Sequence, residues 1–316
     1  VTLMAWIERH WERVTPVSAA LSPLSLLFGA AAAARRAAYR NGLFPAVRLS
    51  VPVVVAGNIT VGGTGKTPFA LWLAAGLRAR GYRPGIVSRG YGSRSGEPQR
   101  VLPDSDPRAC GDEAVLVARR SNCDVWTGAD RVAAGRSLLA AAQPACDVLI
   151  SDDGLQHYAL ARDVEICVVD AARGFGNGWL LPAGPLRELP SRIATVDAVV
   201  LNTGHETLGH PSLERIPVEA PRFTMRLEGA TFRNVLNPGR RVAAEHFRGK
   251  RLHAVAGIGH PGRFFAHLHA LGVECTSHPF PDHHPFVMAD LEFPAADAVL
   301  MTEKDAVKCR RFAGES

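Results

Sequence analysis

The chain lacks the cysteine spacing of a zinc module: its six cysteines, at 110, 123, 146, 167, 275 and 309, include no C-x-x-C pair. Thiols scattered in this way argue against structural zinc and for a reducing compartment. There is no internal repeat of short period, and no low-complexity tract beyond Ala30–Ala34. No basic stretch is interleaved with aromatics, which removes the usual platform for nucleic acid despite a net charge of +6. Hydrophobic residues at 47% and charged residues at 21% are ordinary for a folded soluble protein. At 316 residues there is room for two domains with cores that need no staples.

The charge is unevenly spread. Residues 1–50 hold six arginines (9, 13, 35, 36, 40 and 48) against Glu8 and Glu12, a net of +4. Such a basic end suggests an anionic partner. Val14–Ala34 carries no charge over 21 residues, long enough to consider as a membrane span, but Pro16 and Pro23 interrupt it and it is only weakly apolar. Trp6, Glu8, Trp11 and Glu12 precede it, which fits a cleavable signal peptide poorly. The expectation is an amphipathic, interfacial segment, with Trp6, Ile7, Trp11, Leu24, Leu27 and Phe28 entering the membrane and the arginines facing phosphates.

What is present is concentrated in residues 51–67. The apolar, β-branched run Val51–Val55 reads as a buried strand, a glycine-rich turn follows, and Pro68 to Leu73 has helical apolar spacing. That order is a phosphate-binding loop, formed by Thr60, Val61, Gly62, Gly63, Thr64, Gly65, Lys66 and Thr67. Backbone N–H groups and the helix start make an anion-binding concavity, the lysine reaches the β- and γ-phosphates, and the threonine hydroxyl coordinates Mg²⁺. The general pattern G-x-x-x-x-G-K-[ST] has glycine where this chain has Thr60.

Downstream, strands are expected at Gly85–Ser88, Cys123–Trp126, Asp147–Ser151, Val164–Val169 and Val196–Asn202, with intervening helices. This is a doubly wound α/β pattern, whose ligands sit at the carboxyl ends of the strands. Arg89 lands on that side, in the loop Arg89-Gly90-Tyr91-Gly92. Residues 93–108 read as a surface loop. Asp112 and Glu113 open a helix at Ala114–Arg120, where an acid most often serves as a cap or dipole partner. The strand ending at Ser151 closes on Asp152 and Asp153, the way such folds deliver a carboxylate to Mg²⁺. The Gly- and Pro-rich loop 173–190 is long for a connection, as functional loops are.

From about residue 205 to 240 the composition turns polar and alternating, as in a linker ribbon. A second strand–loop–helix unit starts at Leu252 but has no lysine in its loop. The cluster Asp282-His283-His284 lacks the i, i+2 or i, i+4 histidine spacing usual for zinc. A histidine that orients an acid or carries a proton fits it better. Thr302-Glu303-Lys304-Asp305 resembles the guanine-reading N-K-x-D element only weakly, since its lysine adjoins the aspartate.

Seven segments in order carry a closer resemblance: Thr60–Thr67, Ser88–Gly92, Gly111–Glu113, Asp152–His157, Leu181–Glu188, Phe280–His284 and Thr302–Asp305. They resemble the motifs of the tetraacyldisaccharide 4'-kinases, the lipid A 4'-kinases of Gram-negative bacteria, and Thr60 agrees with that family's own loop. The resemblance implies a P-loop NTPase-like, doubly wound, mostly parallel sheet with a second, smaller α/β domain. The organisation would be a membrane-associating segment at 1–50, a kinase core at 51–210, a ribbon linker at 211–245 and a C-terminal α/β domain at 246–316. It further implies ATP- and Mg²⁺-dependent phosphorylation of the 4'-hydroxyl of a tetraacylated glucosamine disaccharide 1-phosphate at the cytoplasmic face of the inner membrane. No nucleic acid and no obligate protein partner are implied.

Carried over residue by residue, Lys66 and Thr67 hold phosphates and metal, and Asp152 or Asp153, with Glu188, arranges Mg²⁺. Arg187 faces phosphate charge, Asp112 is the base, paired with His283, and Arg89, Arg131 and His157 contact the disaccharide or its phosphate. The rivals are a nucleotide-binding switch or metallochaperone-type NTPase, and a P-loop ligase-like enzyme acting on a soluble acid.

Overall fold

In a computed structural model of the chain, the described residues are 3–90, 97–204, 210–216 and 221–312. Tyr91 and Gly92 of the arginine–glycine loop lie outside them, as do 93–96 and parts of the polar stretch after residue 204. The chain opens with helices α1 (Leu3–Glu8), α2 (Pro16–Ala20) and α3 (Ser22–Arg40). Next come β1 (Val53–Gly57), α4 (Lys66–Ala79), β2 (Pro84–Ser88), β3 (Gln99–Val101), α5 (Pro107–Cys110) and α6 (Asp112–Ser121). They are followed by β4 (Asp124–Thr127), α7 (Arg131–Ala141), β5 (Val148–Asp152), β6 (Val164–Asp170), β7 (Ala198–Asn202) and β8 (Arg222–Met225). The last part holds β9 (Thr231–Arg233), β10 (Arg241–Ala243), β11 (Leu252–Ala256), α8 (Pro261–Ala270), β12 (Thr276–Pro279), β13 (Ala298–Met301) and α9 (Glu303–Cys309).

The chain divides into two compact units. One is Val1–Arg89, Ser95–Val101 and Arg120–Leu227; the other is Gly90–Arg94, Leu102–Arg119 and Glu228–Ser316. The first is built on a sheet of order β3-β4-β2-β5-β1-β6-β7-β8, parallel throughout except for the edge pair β3–β4. A parallel sheet needs cover on both faces, so its strands read as unbroken apolar runs. One face carries Val53, Val55, Leu149 and Cys167 under Val132 and Leu138 of α7; the other packs Ala56, Val168 and Val200 against Phe69 of α4. Strand β1 lies between β5 and β6, so the chain leaves it toward both halves of the sheet, and the loop after β1 opens at that switch point.

Three elements differ from the sequence expectation. Residues 97–108 contain edge strand β3 and the short helix α5, too brief for periodicity to reveal. The alternating stretch Arg222–Met225, expected in a ribbon, is the eighth strand of the sheet, in register with Val199–Asn202. Antiparallel pairing of the ribbon kind occurs between β9 and β10.

Helix α3 is held to the first unit by polar contacts: Ser25 Oγ donates to Leu180 O at 2.8 Å, Arg35 to Gln156 O at 2.8 Å and Arg36 to Thr195 Oγ1 at 2.8 Å. Leu24, Leu26 and Leu27 are exposed. Trp6 is 44% exposed, but Trp11, expected on the membrane side, is buried to 4% with its Nε1 donating to Pro182 O at 3.0 Å. An indole with a buried acceptor is a structural anchor and not an interfacial one. No helix among the described residues is long and apolar enough to cross a membrane.

The second unit has a three-stranded parallel sheet, β12-β11-β13. Leu252, Ala254, Leu268 and Leu300 pack together beneath α8, and Val255 packs with Phe286 and Cys309 of α9. The start of α9 is locked. Thr302 Oγ1 accepts from Asp305 N at 3.2 Å and donates to Asp305 Oδ2 at 2.7 Å, and the same oxygen of fully buried Asp305 accepts from Gly257 N at 3.0 Å.

Candidate active site

The phosphate loop of the first unit grows from β1. A Cβ on Gly57 would stand 2.9 Å from Leu155 N, so only glycine lets the strand pass beneath the following turn. Beyond it, Asn58 Nδ2 donates to Thr64 Oγ1 at 3.2 Å and Asn202 Nδ2, at the end of β7, donates to Thr64 O at 3.1 Å. Gly65 takes a left-handed φ of 92° and delivers the chain into α4, whose N-cap makes no side-chain hydrogen bond. The first N–H groups of α4 therefore remain for an anion.

Thr60 has a physical explanation. It forms an antiparallel bridge with Leu186, flanked by Val61 N to Pro185 O at 2.8 Å and Arg187 N to Ile59 O at 2.7 Å. Paired extended backbone suits any residue, so glycine's freedom is not needed at the loop entry. The same pairing draws Arg187 and Glu188 alongside the phosphate loop.

Asp152 is the last residue of β5, in register with Ala56, and its Oδ2 accepts from Thr67 Oγ1 at 3.4 Å. Asp153 turns the other way, with a left-handed φ of 52°. Its carboxylate lies 3.4 Å from Lys66 Nζ and 3.4 Å from Arg187 Nη1. Burial pushes the Asp153 pKa up, but Lys66, then Arg187 and Arg131, outweigh it and hold it down at about 2. Glu188 is buried and engaged at both oxygens: Oε1 accepts from Gln156 Nε2 at 2.7 Å, and Oε2 accepts from the Tyr158 hydroxyl and lies 3.6 Å from Arg192 Nε. Of the three acids expected around a metal, Asp152 is the one placed beside the Thr67 hydroxyl.

Arg131 opens α7 behind the cap Asp130 and is 2% exposed. Its Nη1 donates to Gly128 O at 2.6 Å, while Nε and Nη2 have no hydrogen-bond partner among the described residues. Burial lowers its pKa to about 10, so it remains a cation at neutral pH, with Asp153 and Asp152 opposing the shift. A buried cation with spare donors requires an acceptor from outside. His157 is pushed down to about 4, first by burial and then by Arg131, with a smaller contribution from Arg89. At neutral pH it is an uncharged imidazole beside exposed Arg89 and buried Arg131.

A separate cluster of polar groups lies within the other unit. Gly111, at φ +89°, separates α5 from α6, so that Asp112 begins α6. Asp112 Oδ1 accepts from Glu113 N at 2.8 Å, in the first turn of α6. Its Oδ2 faces His283 Nδ1 at 3.1 Å and lies 3.8 Å from Lys308 Nζ. Burial would raise the Asp112 pKa, yet the His283 hydrogen bond and the charges of Lys304, His283 and Lys308 lower it overall. His283 is raised above its usual 6.5, chiefly by its hydrogen bond with Asp112. Beside this pair is a cleft of about 710 Å³ whose lining includes Phe286, Val307, Arg119 and Arg310.

His284 turns away to Asp290 Oδ2 at 3.0 Å, so the adjacent histidines share no ligand. Among the described residues no group of three or more His, Cys, Asp or Glu side chains is arranged to hold a metal. Sequence reasoning missed Gln156 and Tyr158 as the holders of Glu188, Asn202 as a support of the loop, and the two lysines of α9. Gln156 stood inside a quoted motif; Asn202, at the end of an apolar strand, gave no signal.

A glycine-rich loop between a central parallel strand and a helix, at the switch point of a doubly wound sheet, defines a P-loop α/β protein. Comparison with known proteins narrows this. The profile of the family described as "LpxK: Tetraacyldisaccharide-1-P 4'-kinase" matches residues 17–316. A "Tetraacyldisaccharide 4'-kinase" of Aromatoleum aromaticum is 54% identical over 303 residues, covering 96% of this chain and 88% of that one. Another, of Methylobacillus flagellatus, is 50% identical over 311 residues, covering 98% and 89%. The crystal structure of LpxK from Aquifex aeolicus in complex with ATP superposes with a TM-score of 0.76 at 29% identity, covering 94% of this chain and 91% of that one. The chain belongs to the tetraacyldisaccharide-1-P 4'-kinase family.

Proposed function

We propose that the protein transfers the γ-phosphate of ATP to the 4'-hydroxyl of a tetraacylated glucosamine disaccharide 1-phosphate, a step of lipid A biosynthesis. Membership of the family supports this, and so does the ATP held by the Aquifex aeolicus relative. The observation that carries it is the buried carboxylate of Asp112 facing His283 at 3.1 Å. A nucleotide switch has no use for such a pair, whereas phosphoryl transfer to an alcohol needs an acceptor for the hydroxyl proton.

In this reading Thr60–Thr67 cradle the phosphates of ATP, and Lys66 balances charge on the β- and γ-phosphates. Thr67 and Asp152 offer a hydroxyl and a carboxylate, hard oxygen donors that fit Mg²⁺. When bound, Mg²⁺ neutralises phosphate charge and orients the transferring group. Asp153 keeps Lys66 and Arg187 in place, and Glu188 steadies Gln156 and Tyr158. Arg89, Arg131, Arg187 and neutral His157 supply donors to the acceptor and its phosphate. The sugar oxygen attacks the γ-phosphorus as the bond to the bridging oxygen of ADP breaks, and the hydroxyl proton passes to Asp112.

Phosphate transfer from labelled ATP to a detergent-dispersed tetraacyl disaccharide 1-phosphate is expected, with little ATP hydrolysis when the acceptor is withheld. Equal ATP turnover with and without the acceptor would instead make the protein a switch.

The site of action in this proposal is the cytoplasmic face of the inner membrane, reached through the N-terminal segment. Exposed Leu24, Leu26 and Leu27 of α3 support this reading, since they offer apolar side chains to a membrane surface. The double substitution Leu26→Ser, Leu27→Ser is expected to weaken sedimentation with phosphatidylglycerol-containing vesicles by about a hundredfold or more, since two leucines exposed on the protein no longer enter the membrane. Its thermal stability should be unchanged, since neither side chain is buried. Undiminished vesicle binding would place the membrane contact elsewhere.

A further inference from the structure

The element Thr302-Glu303-Lys304-Asp305 is left without a role by the reaction as described. Thr302 and Asp305 lock the start of α9, and that lock aims Lys304. Its ammonium is 15% exposed and lies 3.4 Å from His283 Nε2, 3.0 Å from Glu113 Oε1 and 3.3 Å from Asp282 Oδ1. One turn on, Lys308 Nζ sits 2.7 Å from Asp305 Oδ1 and 3.8 Å from Asp112 Oδ2. Spacing of i, i+4 puts both lysines on one face of the helix. One cation stands at the histidine end of the dyad and the other at the aspartate end.

An ammonium has three donors and no acceptor, so it meets a lone pair on Nε2 and repels a proton there. We propose that Lys304 is a positioning residue that fixes His283 as a neutral imidazole protonated on Nδ1. In that tautomer the ring donates one hydrogen bond to Asp112 Oδ2 and has no vacant site on that side for a proton. Asp112 thus keeps the proton it takes from the acceptor hydroxyl, and His283 orients the carboxylate without relaying. The role in catalysis rests on the kinase reading; the tautomer does not.

The groups facing His283 include Asp112 of α6 at Nδ1, and Asp282 of its own loop (3.9 Å) and Lys304 of α9 at Nε2, with Glu113 and Lys308 one contact further. Asp112 raises the histidine's pKa and Lys304 pulls it down. The sign follows: without the Lys304 charge, His283 takes up its second proton at higher pH. The resulting imidazolium weakens Asp112 as a base, so turnover fails first on the acid side.

The test is histidine-selective ¹⁵N NMR of the full chain, with the His283 signal assigned among 12 histidines by its loss in His283→Gln. Above its pKa, wild-type His283 should show a protonated Nδ1 and an unprotonated Nε2. In Lys304→Met the titration midpoint should rise by roughly one pH unit, and kcat should fall by up to about tenfold near neutrality and recover at alkaline pH. Lys304→Arg, which keeps a donor-only cation, should restore both readings. A protonated Nε2 in the wild type would overturn the proposal, as would a Lys304→Met protein whose activity falls at every pH with the midpoint unmoved. Failure of the kinase reading shows separately, as absent transfer by the wild type with the NMR result intact.

Discussion

Asp112→Asn is expected to lower kcat by roughly 10²–10⁴-fold, the contribution of a positioned general base, and to leave ATP affinity close to that of the wild type. Asparagine preserves the side-chain shape, and its carbonyl oxygen can still accept from Glu113 N. What it removes is the charge, and with it the acceptor for the hydroxyl proton. Asp112 is 6% exposed, and its pKa is lowered by His283, Lys304 and Lys308 in spite of burial. It is therefore ionised throughout the neutral range. Equilibrium binding of ATP beside steady-state kinetics checks the split. A collapse of ATP affinity would make Asp112 a nucleotide ligand and remove it as the base. His283→Ala should cost less than Asp112→Asn, because the imidazole orients the carboxylate; a larger loss would assign proton transfer to the histidine.

Lys66→Met is expected to damage binding and chemistry together. The ammonium is 13% exposed in its side chain and 3.4 Å from Asp153. Without it the loop loses its positive charge toward the β- and γ-phosphates, worth on the order of 10²–10³ in kcat for one preorganised donor. Asp153, already ionised with a pKa of about 2, then keeps Arg187 as its remaining close cation and adds negative charge where phosphate must sit. Lys66→Arg should not recover the loss, since a broad planar guanidinium does not replace a compact ammonium in a tight loop. Titration with a fluorescent ATP analogue and single-turnover transfer read the two effects. Wild-type ATP affinity in Lys66→Met would mean that the lysine serves only to hold Asp153.

Much of this was legible in the chain. Buried parallel strands announce themselves as apolar runs, so β1, β2, β5, β6 and β7 fall within a few residues of their expected bounds. Gly65, Lys66 and Thr67 follow a local rule in which spacing alone carries the chemistry. Other features were not local. Trp11 shows the same indole to a sequence reader whether it faces lipid or donates to Pro182 O, and only the fold decides. The alternation at Arg222–Met225 suits a ribbon and an edge strand equally well. Asp112 looked like no more than a helix-start acid, and it does sit in the first turn of α6; the contact 171 positions away, to His283, cannot be seen from either residue. Asp152 and Asp153 were equivalent in sequence. Strand register puts one beside Thr67, and a left-handed backbone turns the other toward cations.

The lock at the start of α9 also dates the parts of the molecule. The first unit ends at Leu227, whereas Asp112, in the second unit, waits for a histidine at 283 and lysines at 304 and 308. Domains emerging from the ribosome fold as units, the earlier before the later. A nascent chain can therefore assemble its phosphate loop well before it owns a working dyad, which waits for α9 to be synthesised.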